Sequence, residues 1–320
     1  AQKPATSKEE GNLVVFSGPD FKATFDKQSG LLTSYLYKKH EYILNGQGPR
    51  PFFWRAPTDN DYGANLPVRL KAWKEASYQE PKAESFQVTP GSNATTVKVT
   101  YRFPQTDARW DITYKIYASG VIKVDNRFVA EGDQAPMIPR VGLRMQLPES
   151  FTDLTYYGRG PKENYRDRRT SQFIGEYAIP VKNMYEPYVR PQENNHRTDI
   201  YWCAFTDKTQ RGLLLIADRT FELNASNYPL ESMDSGDTID NGAPRTEKTH
   251  HRHLTDPLPE KMVDLFIDYR MMGVGGDDSW GATAHEPYLI RPGKENAIEY
   301  GFTLVPFDKK EDYKYLIRQY

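Results

Sequence analysis

Residues 110–116, WDITYKI, alternate between apolar and polar side chains, which places their apolar members on one face of an extended chain. The turn residues 118–120, ASG, follow, and the alternation resumes from Ile122 to Phe128. Two alternating segments separated by a short turn that contains glycine are typical of a β-hairpin. The pattern therefore predicts two antiparallel strands that share one buried face.

The same period of two recurs along the chain, at residues 97–103, 141–147, 263–269 and 298–304. No long polar break divides these segments, so we predict an all-β fold with a single β-sandwich over residues 18–307. Residues 1–17 begin with a polar, charged stretch and are predicted to be a linker or N-terminal extension, and residues 308–320 are predicted to be a C-terminal tail. Apolar side chains at helical spacing over residues 66–73 predict one short helix.

Charge and hydropathy argue against two classes of partner. The 42 Lys and Arg residues nearly balance the 43 Asp and Glu residues and form no basic run, so we expect neither nucleic acid nor an anionic membrane surface as a partner. The longest apolar runs, such as residues 212–217, are far shorter than the roughly 20 residues of a membrane span. Cys203 is the only cysteine, so the chain can form no internal disulfide, and the sequence leaves a cytoplasmic or a periplasmic location open.

Three groups of segments between the strands are rich in functional side chains. The first is FWRAPTDNDYG, residues 53–63. Its carboxylate and amide groups can bind sugar hydroxyls or cap the tight turns of a loop, since both tasks need short acceptor side chains. Because Asp and Asn so often cap turns, the sequence alone favours the structural role.

The second group consists of YGRGPKENYRDR at residues 157–168 and PYVRPQENNHR at residues 187–197. The Gly-x-Gly is followed by neither Lys-Ser/Thr nor a helix, which argues against a phosphate loop. Glu163 and Glu193 could serve as the two carboxyl groups of a glycosidase, which lie about 5–5.5 Å apart for retention or about 6.5–9.5 Å apart for inversion. The density of Arg and Glu favours ion pairs between loops instead.

The third group, MGVGGDDSWG at residues 272–281, combines a glycine-rich bend with two aspartates and one tryptophan. In one interpretation the bend presents Trp280 at an edge of the sandwich, where an indole face can pack on the C–H face of galactose. In the other, Trp280 belongs to the core while Asp277 and Asp278 cap the turn. The residues alone do not separate these two interpretations.

The histidines give little sign of metal binding or catalysis. His250, His251 and His253 lack acidic or cysteine partners at ligand spacing and are predicted to lie on a strand with alternating side chains. His196 and His285 are predicted to be hydrogen-bonded loop residues, because no nucleophile motif accompanies them.

Four segments, in their order along the chain, resemble the last domain of β-galactosidases of glycoside hydrolase family 2, which also occurs as the small subunit of two-chain β-galactosidases. They are RAPTDNDYG at 55–63, GRGPKENY at 158–165, PYVRPQEN at 187–194 and GVGGDDSW at 273–280. The resemblance extends from about residue 21 to residue 306. It departs from the common pattern at Asn195, where a glycine usually follows the Glu-Asn pair, although Asn accepts left-handed conformations better than most residues.

The resemblance implies a large antiparallel β-sandwich, the supersandwich of the galactose-mutarotase-like type, which packs against a catalytic (β/α)₈ barrel domain or large subunit. It implies that the catalytic glutamates lie in that barrel and that this chain carries none. Trp280, with Asp278 and Ser279, is implied to bind the β-galactoside substrate, and Gly63 to begin a mobile loop that opens and closes over the site. The magnesium and sodium ligands of the family lie mostly in other domains, so the resemblance implies no metal or other cofactor site in this chain.

Two alternatives stay open. One is a stand-alone module that binds galactosides, and the other is a mutarotase-like sugar epimerase, which needs a histidine and a carboxylate on opposite sides of the anomeric carbon. The sequence also leaves open the aglycone preference, the formation of a homo-oligomer, and whether the chain is a fragment of a larger protein or a separate small subunit.

Overall fold

A computed structural model describes residues 2–131, 137–236, 253–278, 280–293, 295, 297–309 and 311–320. The strands in these residues are β1 Thr6–Glu10, β2 Leu13–Ser17, β3 Phe21–Asp26, β4 Leu32–Tyr37, β5 His40–Glu41, β6 Arg50–Phe52, β7 Ala83–Thr89, β8 Thr95–Phe103, β9 Ala108–Ile116, β10 Ile122–Ala130, β11 Arg140–Pro148, β12 Asp153–Gly160, β13 Phe173–Pro180, β14 Arg197–Thr206, β15 Gly212–Ser226, β16 Met262–Met271 and β17 Ile298–Phe307. The helices are α1 Asp59–Gly63, α2 Leu66–Arg69, α3 Lys71–Tyr78 and α4 Tyr313–Leu316. None of these described helices is long or apolar enough to cross a membrane.

Two antiparallel sheets build the fold. The smaller sheet has the strand order β1-β2-β3-β4-β5, and the larger one the order β13-β12-β14-β15-β17-β10-β9-β8-β7. Strand β16 pairs with β15 on one side and with β11 on the other, and β11 also pairs with β6. The prediction of an all-β antiparallel sandwich is thereby confirmed.

The hairpin predicted from residues 110–128 lies within the larger sheet as β9 and β10, with Trp110 opposite Phe128. Both side chains are buried, and Phe53 fills the space beside them, with its ring centroid 5.6 Å from that of Trp110 and 5.4 Å from that of Phe128. Trp73 completes the group at 5.1 Å from Phe53. Such aromatic clusters bury large apolar areas, so the face predicted from the alternation is the face on which the core forms.

The helical spacing of Leu66, Leu70 and Trp73 produces two short helices, α2 and α3, instead of the one that was predicted. Leu70 separates them because its backbone, at φ −111° and ψ 16°, leaves the helical region. All three side chains are nevertheless buried. They hold the neighbouring segment, residues 53–63, against the core.

The interpretation of residues 1–17 as a linker is wrong for residues 6–17. These residues form β1 and β2, and Val14 and Phe16 of β2 are buried, with the Phe16 ring 5.6 Å from that of Phe25. Strand β1 carries only exposed side chains, because it is the edge strand of the smaller sheet. Its polar, charged composition therefore looks like that of a linker, although its backbone is paired.

The C-terminal tail, residues 308–320, packs on the larger sheet. Tyr313 of α4 lies 6.1 Å from Trp202 and 5.4 Å from Phe307 between ring centroids. The tail thus covers an apolar cluster on the sheet that is separate from the main core.

Candidate functional site

The glycine-rich segment at residues 272–281, called the Trp280 loop below, is where the segments singled out in the sequence meet. Trp280 is 86% exposed, more than any other large apolar side chain among the described residues. The interpretation of Trp280 as a core residue is therefore wrong, since the loop turns its ring outward. Ser279, which was also predicted to bind substrate, lies outside the described residues.

Asp278 holds the turn that carries Trp280. Its Oδ1 accepts hydrogen bonds from the backbone N–H groups of Trp280 (2.8 Å) and Ala282 (3.0 Å), and these bonds lower the pKa of the carboxyl. The carboxylate of Asp277 instead lies 2.5 Å from the Nε2 of His285, which is a hydrogen-bonded loop residue as predicted. Turn capping therefore belongs to Asp278, and this predicted substrate ligand also has a structural role.

The first group of segments supports the Trp280 loop through Arg55. This buried guanidinium makes a bidentate ion pair with Asp61, at 3.0 and 2.8 Å, and donates to the carbonyl oxygens of Met272 (2.7 Å) and Gly273 (3.1 Å). Asp61 also forms a capping box with Thr58 at the start of α1. The structural role that the sequence favoured is thus confirmed for Asp61.

The second group contributes Asp167, which binds the start of the same loop. Its two carboxylate oxygens accept from the backbone N–H groups of Val274 (3.0 Å) and Gly275 (2.8 Å). Gly275 has a φ of +73°, a conformation that favours glycine, so the carboxylate stabilises a bend that glycine makes accessible. Sequence reasoning missed Asp167, because a carboxylate between two arginines gives no sign of a partner more than a hundred residues away.

Gly63, at the end of α1, lies directly against the backbone of the Trp280 loop. A Cβ atom at position 63 would lie 2.6 Å from the carbonyl oxygen of Trp280 and 2.8 Å from the Cα of Gly281. The φ of Gly63 lies outside the left-handed region, so close approach, and not an unusual conformation, requires glycine here. Gly63 and Trp280, which were predicted as site residues from separate motifs, are thus in contact.

A cleft of about 620 Å³ opens beside the Trp280 loop, within the size range of small-molecule sites. All three groups contribute to its walls, including Asp59, Asn60, Arg168, Tyr188 and Asp278. These side chains bring hydrogen-bond donors and acceptors to the cleft, which is what recognition of sugar hydroxyl groups requires.

Glu163 and Glu193 both have structural partners. Glu163 accepts from the guanidinium of Arg168 (2.7 Å) and from the backbone N–H of Asn195 (2.8 Å), so the predicted ion pairing is confirmed for this residue. Glu193 is buried at the edge of the cleft and accepts from the side-chain amide of Asn224 (2.8 Å). Burial raises the pKa of the Glu193 carboxyl.

Asn195 adopts a φ of +61°, the left-handed conformation in which a glycine is common. Its side chain also uses this position, because Oδ1 accepts from the backbone N–H of Ala225 (3.0 Å) and Nδ2 donates to Asn194 (3.1 Å). Asn195, in place of the common glycine, therefore keeps the conformation of the turn, and its side chain attaches the turn to β15.

Behind Glu193 lies a buried ion cluster of Arg140, His196, Glu222, Asn224 and Asp268, each at most 5% exposed. Arg140 donates to Asp268 (3.1 Å) and to the Oδ1 of Asn224 (2.8 Å). His196 lies between that Oδ1 (2.6 Å) and the Oε2 of Glu222 (3.0 Å). Since both ring nitrogens face oxygen acceptors, the doubly protonated imidazolium fits this position.

The pKa values in the buried ion cluster agree with these contacts. Burial by itself lowers the pKa of His196, but the hydrogen bond and charge of Glu222 raise it above its ordinary value. Burial raises the pKa of Asp268 to about 7. Sequence reasoning missed Glu222 and Asp268, although a carboxylate at an inward position of an otherwise apolar strand is an available signal.

The prediction that His250, His251 and His253 lie on a strand is wrong for His253, which the structure describes. His250 and His251 lie outside the described residues. His253 lies in a turn, because the carboxylate of Asp256 accepts from its backbone N–H (2.9 Å). In the described part of the chain, no group of three or more His, Cys, Asp or Glu side chains could hold a metal ion.

A second cleft, of about 780 Å³, lies on the larger sheet. Neighbouring side chains in its lining form ion pairs, as Arg127 of β10 does with Glu299 of β17 (3.4 Å) and Glu222 with Arg166 (2.8 Å). None of the described residues that line this cleft is a histidine. It is therefore a polar surface held by ion pairs between neighbouring elements.

Comparison with known protein families gives a match over most of the chain. The family model described as the β-galactosidase small chain matches residues 17–304. The β-galactosidase of Priestia megaterium (strain DSM 319 / IMG 1521) is 33% identical over 291 residues, which cover 91% of this chain and 26% of that protein. The β-galactosidase of Lactobacillus delbrueckii subsp. bulgaricus is 32% identical over 301 residues, covering 91% of this chain and 28% of that protein. The chain thus spans about a quarter of the length of these curated relatives.

Comparison with solved structures identifies the fold. The galactose 1-epimerase of Lactobacillus acidophilus NCFM superposes with a TM-score of 0.51 at 7% identity, covering 96% of this chain and 99% of the epimerase. At this identity the likeness concerns the fold alone. The antiparallel sandwich is thus of the galactose-mutarotase-like type, as expected.

Proposed function

Because the chain belongs to the β-galactosidase small-chain family, we propose that it forms part of a retaining β-galactosidase of glycoside hydrolase family 2, which hydrolyses terminal β-D-galactosides such as lactose. The family members it matches are about four times as long as the matched region, which supports the presence of further domains in the complete enzyme. We assign the catalytic (β/α)₈ barrel, with the acid/base and nucleophile glutamates, to that remaining part. This chain then supplies the rim of the galactose pocket and no catalytic residue.

The exposed ring of Trp280 carries the proposal. A tryptophan that is 86% exposed stabilises the sandwich little, yet its loop is held by Arg55 and Asp167, so its position is well defined. An indole face packs against the apolar C–H face of galactose, and such contacts contribute about 0.5–1.5 kcal/mol beyond the area they bury. Trp280 would therefore act as a platform for the sugar.

The other predicted site residues act around this platform. Asp278 keeps the turn of Trp280 in place through its two backbone hydrogen bonds, and it also lines the cleft that would receive the substrate. Gly63 begins the proposed mobile loop at the point where α1 touches the Trp280 loop. Ser279 is proposed to bind substrate as their neighbour.

Substitution of Trp280 in the complete enzyme tests the platform. Trp280→Ala removes the ring, so the KM for a β-galactoside should rise about 2- to 12-fold, while Trp280→Phe, which keeps a flat ring, should lose less. Steady-state kinetics with a chromogenic β-galactoside measure both values. An unchanged KM and product spectrum in Trp280→Ala would count against the platform.

The isolated chain is proposed to be inactive. Glu163 is engaged by Arg168 and Asn195, and Glu193 is buried against Asn224, so both carboxyl groups have structural partners in this chain. Incubation of the isolated chain with the same chromogenic substrate should give no turnover. Turnover that disappears in Glu163→Gln or Glu193→Gln would overturn the assignment of catalysis to another domain.

The two alternatives from the sequence differ in their support. The cleft beside the Trp280 loop favours a galactoside-binding module as the second candidate. Calorimetry with galactose on the isolated chain separates such a module from the proposed accessory domain, because an accessory half-site binds free sugar only weakly. A sugar epimerase needs a histidine that faces an open site, whereas His196 is fully buried, the exposed His285 is paired with Asp277, and no described histidine lines either cleft. Polarimetry with α-galactose measures that activity directly.

A further inference from the structure

Helix α1 and the Trp280 loop meet at two glycines. A Cβ atom on Gly281 would lie 2.4 Å from the carbonyl carbon of Gly63 and 2.6 Å from the backbone nitrogen of Ala64, and a Cβ on Gly63 would meet Trp280 and Gly281 just as closely. Real Cβ atoms essentially never approach other heavy atoms to less than 3.0 Å. The backbones of α1 and the Trp280 loop are therefore so close that a side chain at position 63 or at position 281 would collide with the opposite backbone.

Asn60 makes a second attachment between the same two elements. With its side-chain amide oriented as these neighbours require, Asn60 donates to the carbonyl oxygen of Asp278 (3.2 Å) and accepts from the backbone N–H of Gly276 (3.2 Å). Asp278 in turn caps the N–H of Trp280. One amide on α1 thus binds two backbone groups of the segment that leads to the Trp280 ring.

Helix α1 itself has a fixed position. Asp61 closes its capping box with Thr58 and is paired to the buried Arg55, which also binds the carbonyl oxygens of Met272 and Gly273. The start of the Trp280 loop is therefore tied to the base of α1 and its end to the last residue of α1. A change at the glycine contact cannot be absorbed by a shift of α1 without breaking buried hydrogen bonds.

We propose that Gly281 and Asn60 are positioning residues that set where the Trp280 ring stands relative to α1. Gly281 does so by allowing contact with Gly63, and Asn60 by bridging Gly276 and Asp278. The positioning itself is independent of the proposed galactosidase function, and only its consequence for substrate binding rests on that function.

The position of the loop is tested first, on the isolated chain in solution. The measurement is the ¹⁵N heteronuclear NOE of the Trp280 and Ala282 amides and of the Trp280 indole, which reports picosecond to nanosecond motion. Gly281→Ala and Asn60→Asp should lower these values. Asp at position 60 keeps the shape of the side chain but cannot donate to Asp278.

Gly46→Ala is the control. The φ of Gly46 is also positive, at +70° against +116° for Gly281, but a Cβ there would meet nothing closer than 3.7 Å. This variant therefore places a side chain at a positive φ without the contact, and the NOE values of the Trp280 loop should equal those of the wild type. Unchanged values in both Gly281→Ala and Asn60→Asp would overturn the proposal, and a Gly281→Ala chain that fails to fold leaves Asn60→Asp to decide.

Kinetics of the complete enzyme then separate this proposal from the proposed function. Gly281→Ala should raise the KM by roughly 2- to 12-fold, as loss of the ring does, with little change in kcat. In a Trp280→Ala background the same substitution should have no further effect on the KM. Equal effects of Gly281→Ala with and without Trp280 would mean that it acts through general damage, which contradicts the positioning role. Altered NOE values together with an unchanged KM would support the positioning role and count against the substrate platform.

Discussion

The buried ion cluster and the Trp280 loop adjoin at the end of β16 but use polar residues in opposite ways. Asp268 of the cluster lies on β16, and the loop begins as soon as that strand ends at Met271. In the cluster, charged groups are buried and most of their polar atoms have partners. In the loop, the most exposed large ring described in this protein stands in solvent while hydrogen bonds hold only its backbone.

The two regions are connected through the end of β16. The Oε2 of Glu222 accepts from the backbone N–H of Met271 (2.8 Å), and Arg55 binds the carbonyl oxygen of the next residue, Met272 (2.7 Å). The cluster thus fixes the point from which the loop emerges. In this protein, one set of side chains therefore contributes to stability and another presents the ligand-binding surface, so mutations should affect the two properties separately.

The largest effect is expected from removal of the central cation of the cluster. Above pH 7, where Asp268 is ionised, Arg140→Met leaves it buried without its ion-pair partner, and breaking such a pair costs about 3–5 kcal/mol of unfolding free energy. Urea denaturation at a pH above 7 measures this loss. Arg127→Met is the matched control, because the ion pair of Arg127 with Glu299 is more than half exposed and should contribute under about 1 kcal/mol. Equal losses in the two variants would mean that burial of the cluster does not determine its contribution.

The pH dependence of stability should change next. Since burial raises the pKa of Asp268 to about 7, the folded state keeps a proton that the unfolded chain releases near pH 4. Stability from this group therefore falls as the pH rises from about 4 to 7, by at most about 1.4 kcal/mol per pH unit. Asp268→Asn should remove this fall, which urea denaturation between pH 4.5 and 6 can resolve. His196, whose pKa is also raised, would still lower stability as the pH rises from the ordinary histidine pKa of 6.5 to the raised pKa of the folded state. A slope identical to that of the wild type would contradict the assignment.

Substitution of Trp280 should affect substrate binding and leave stability almost unchanged, which is the reverse of the effect expected for the cluster. Trp280→Ala is expected to change the unfolding free energy by less than about 0.5 kcal/mol, because the ring is 86% exposed, while it weakens substrate binding in the complete enzyme. Trp202→Ala serves as the comparison, since that ring is 9% exposed and its loss should cost about 3–5 kcal/mol. Thermal or urea denaturation of both variants checks the stability part. A large loss of stability in Trp280→Ala would show that the loop supports the fold and would weaken the contrast between the two regions.

The smallest effect is expected at Phe173, which tests whether exposure alone predicts a binding role. This side chain, on the edge strand β13, is 72% exposed, and it lies outside both the Trp280 loop and the cleft beside that loop. Phe173→Ala should alter neither the unfolding free energy by more than about 0.5 kcal/mol nor the KM. A raised KM in this variant would place a second contact surface at that edge.

Local patterns in the sequence carry over to the structure wherever the physical cause is local. The alternation in residues 110–128 predicts the central hairpin, since a strand turns successive side chains to opposite faces whatever surrounds it. Asn195 likewise adopts the left-handed conformation that its side chain tolerates. The same reasoning fails for residues 6–17, because a paired edge strand and a linker can have the same polar composition.

The all-β class, the main hairpin and the four motifs of the β-galactosidase small-chain family can be predicted from the sequence. The exposure of Trp280, the attachment of its loop by Asp167 and Arg55, and the contact between Gly63 and Gly281 become visible in the folded chain alone. Periodicity is set by neighbours along the chain, whereas these contacts join segments that are far apart in sequence and meet once the sheets are packed.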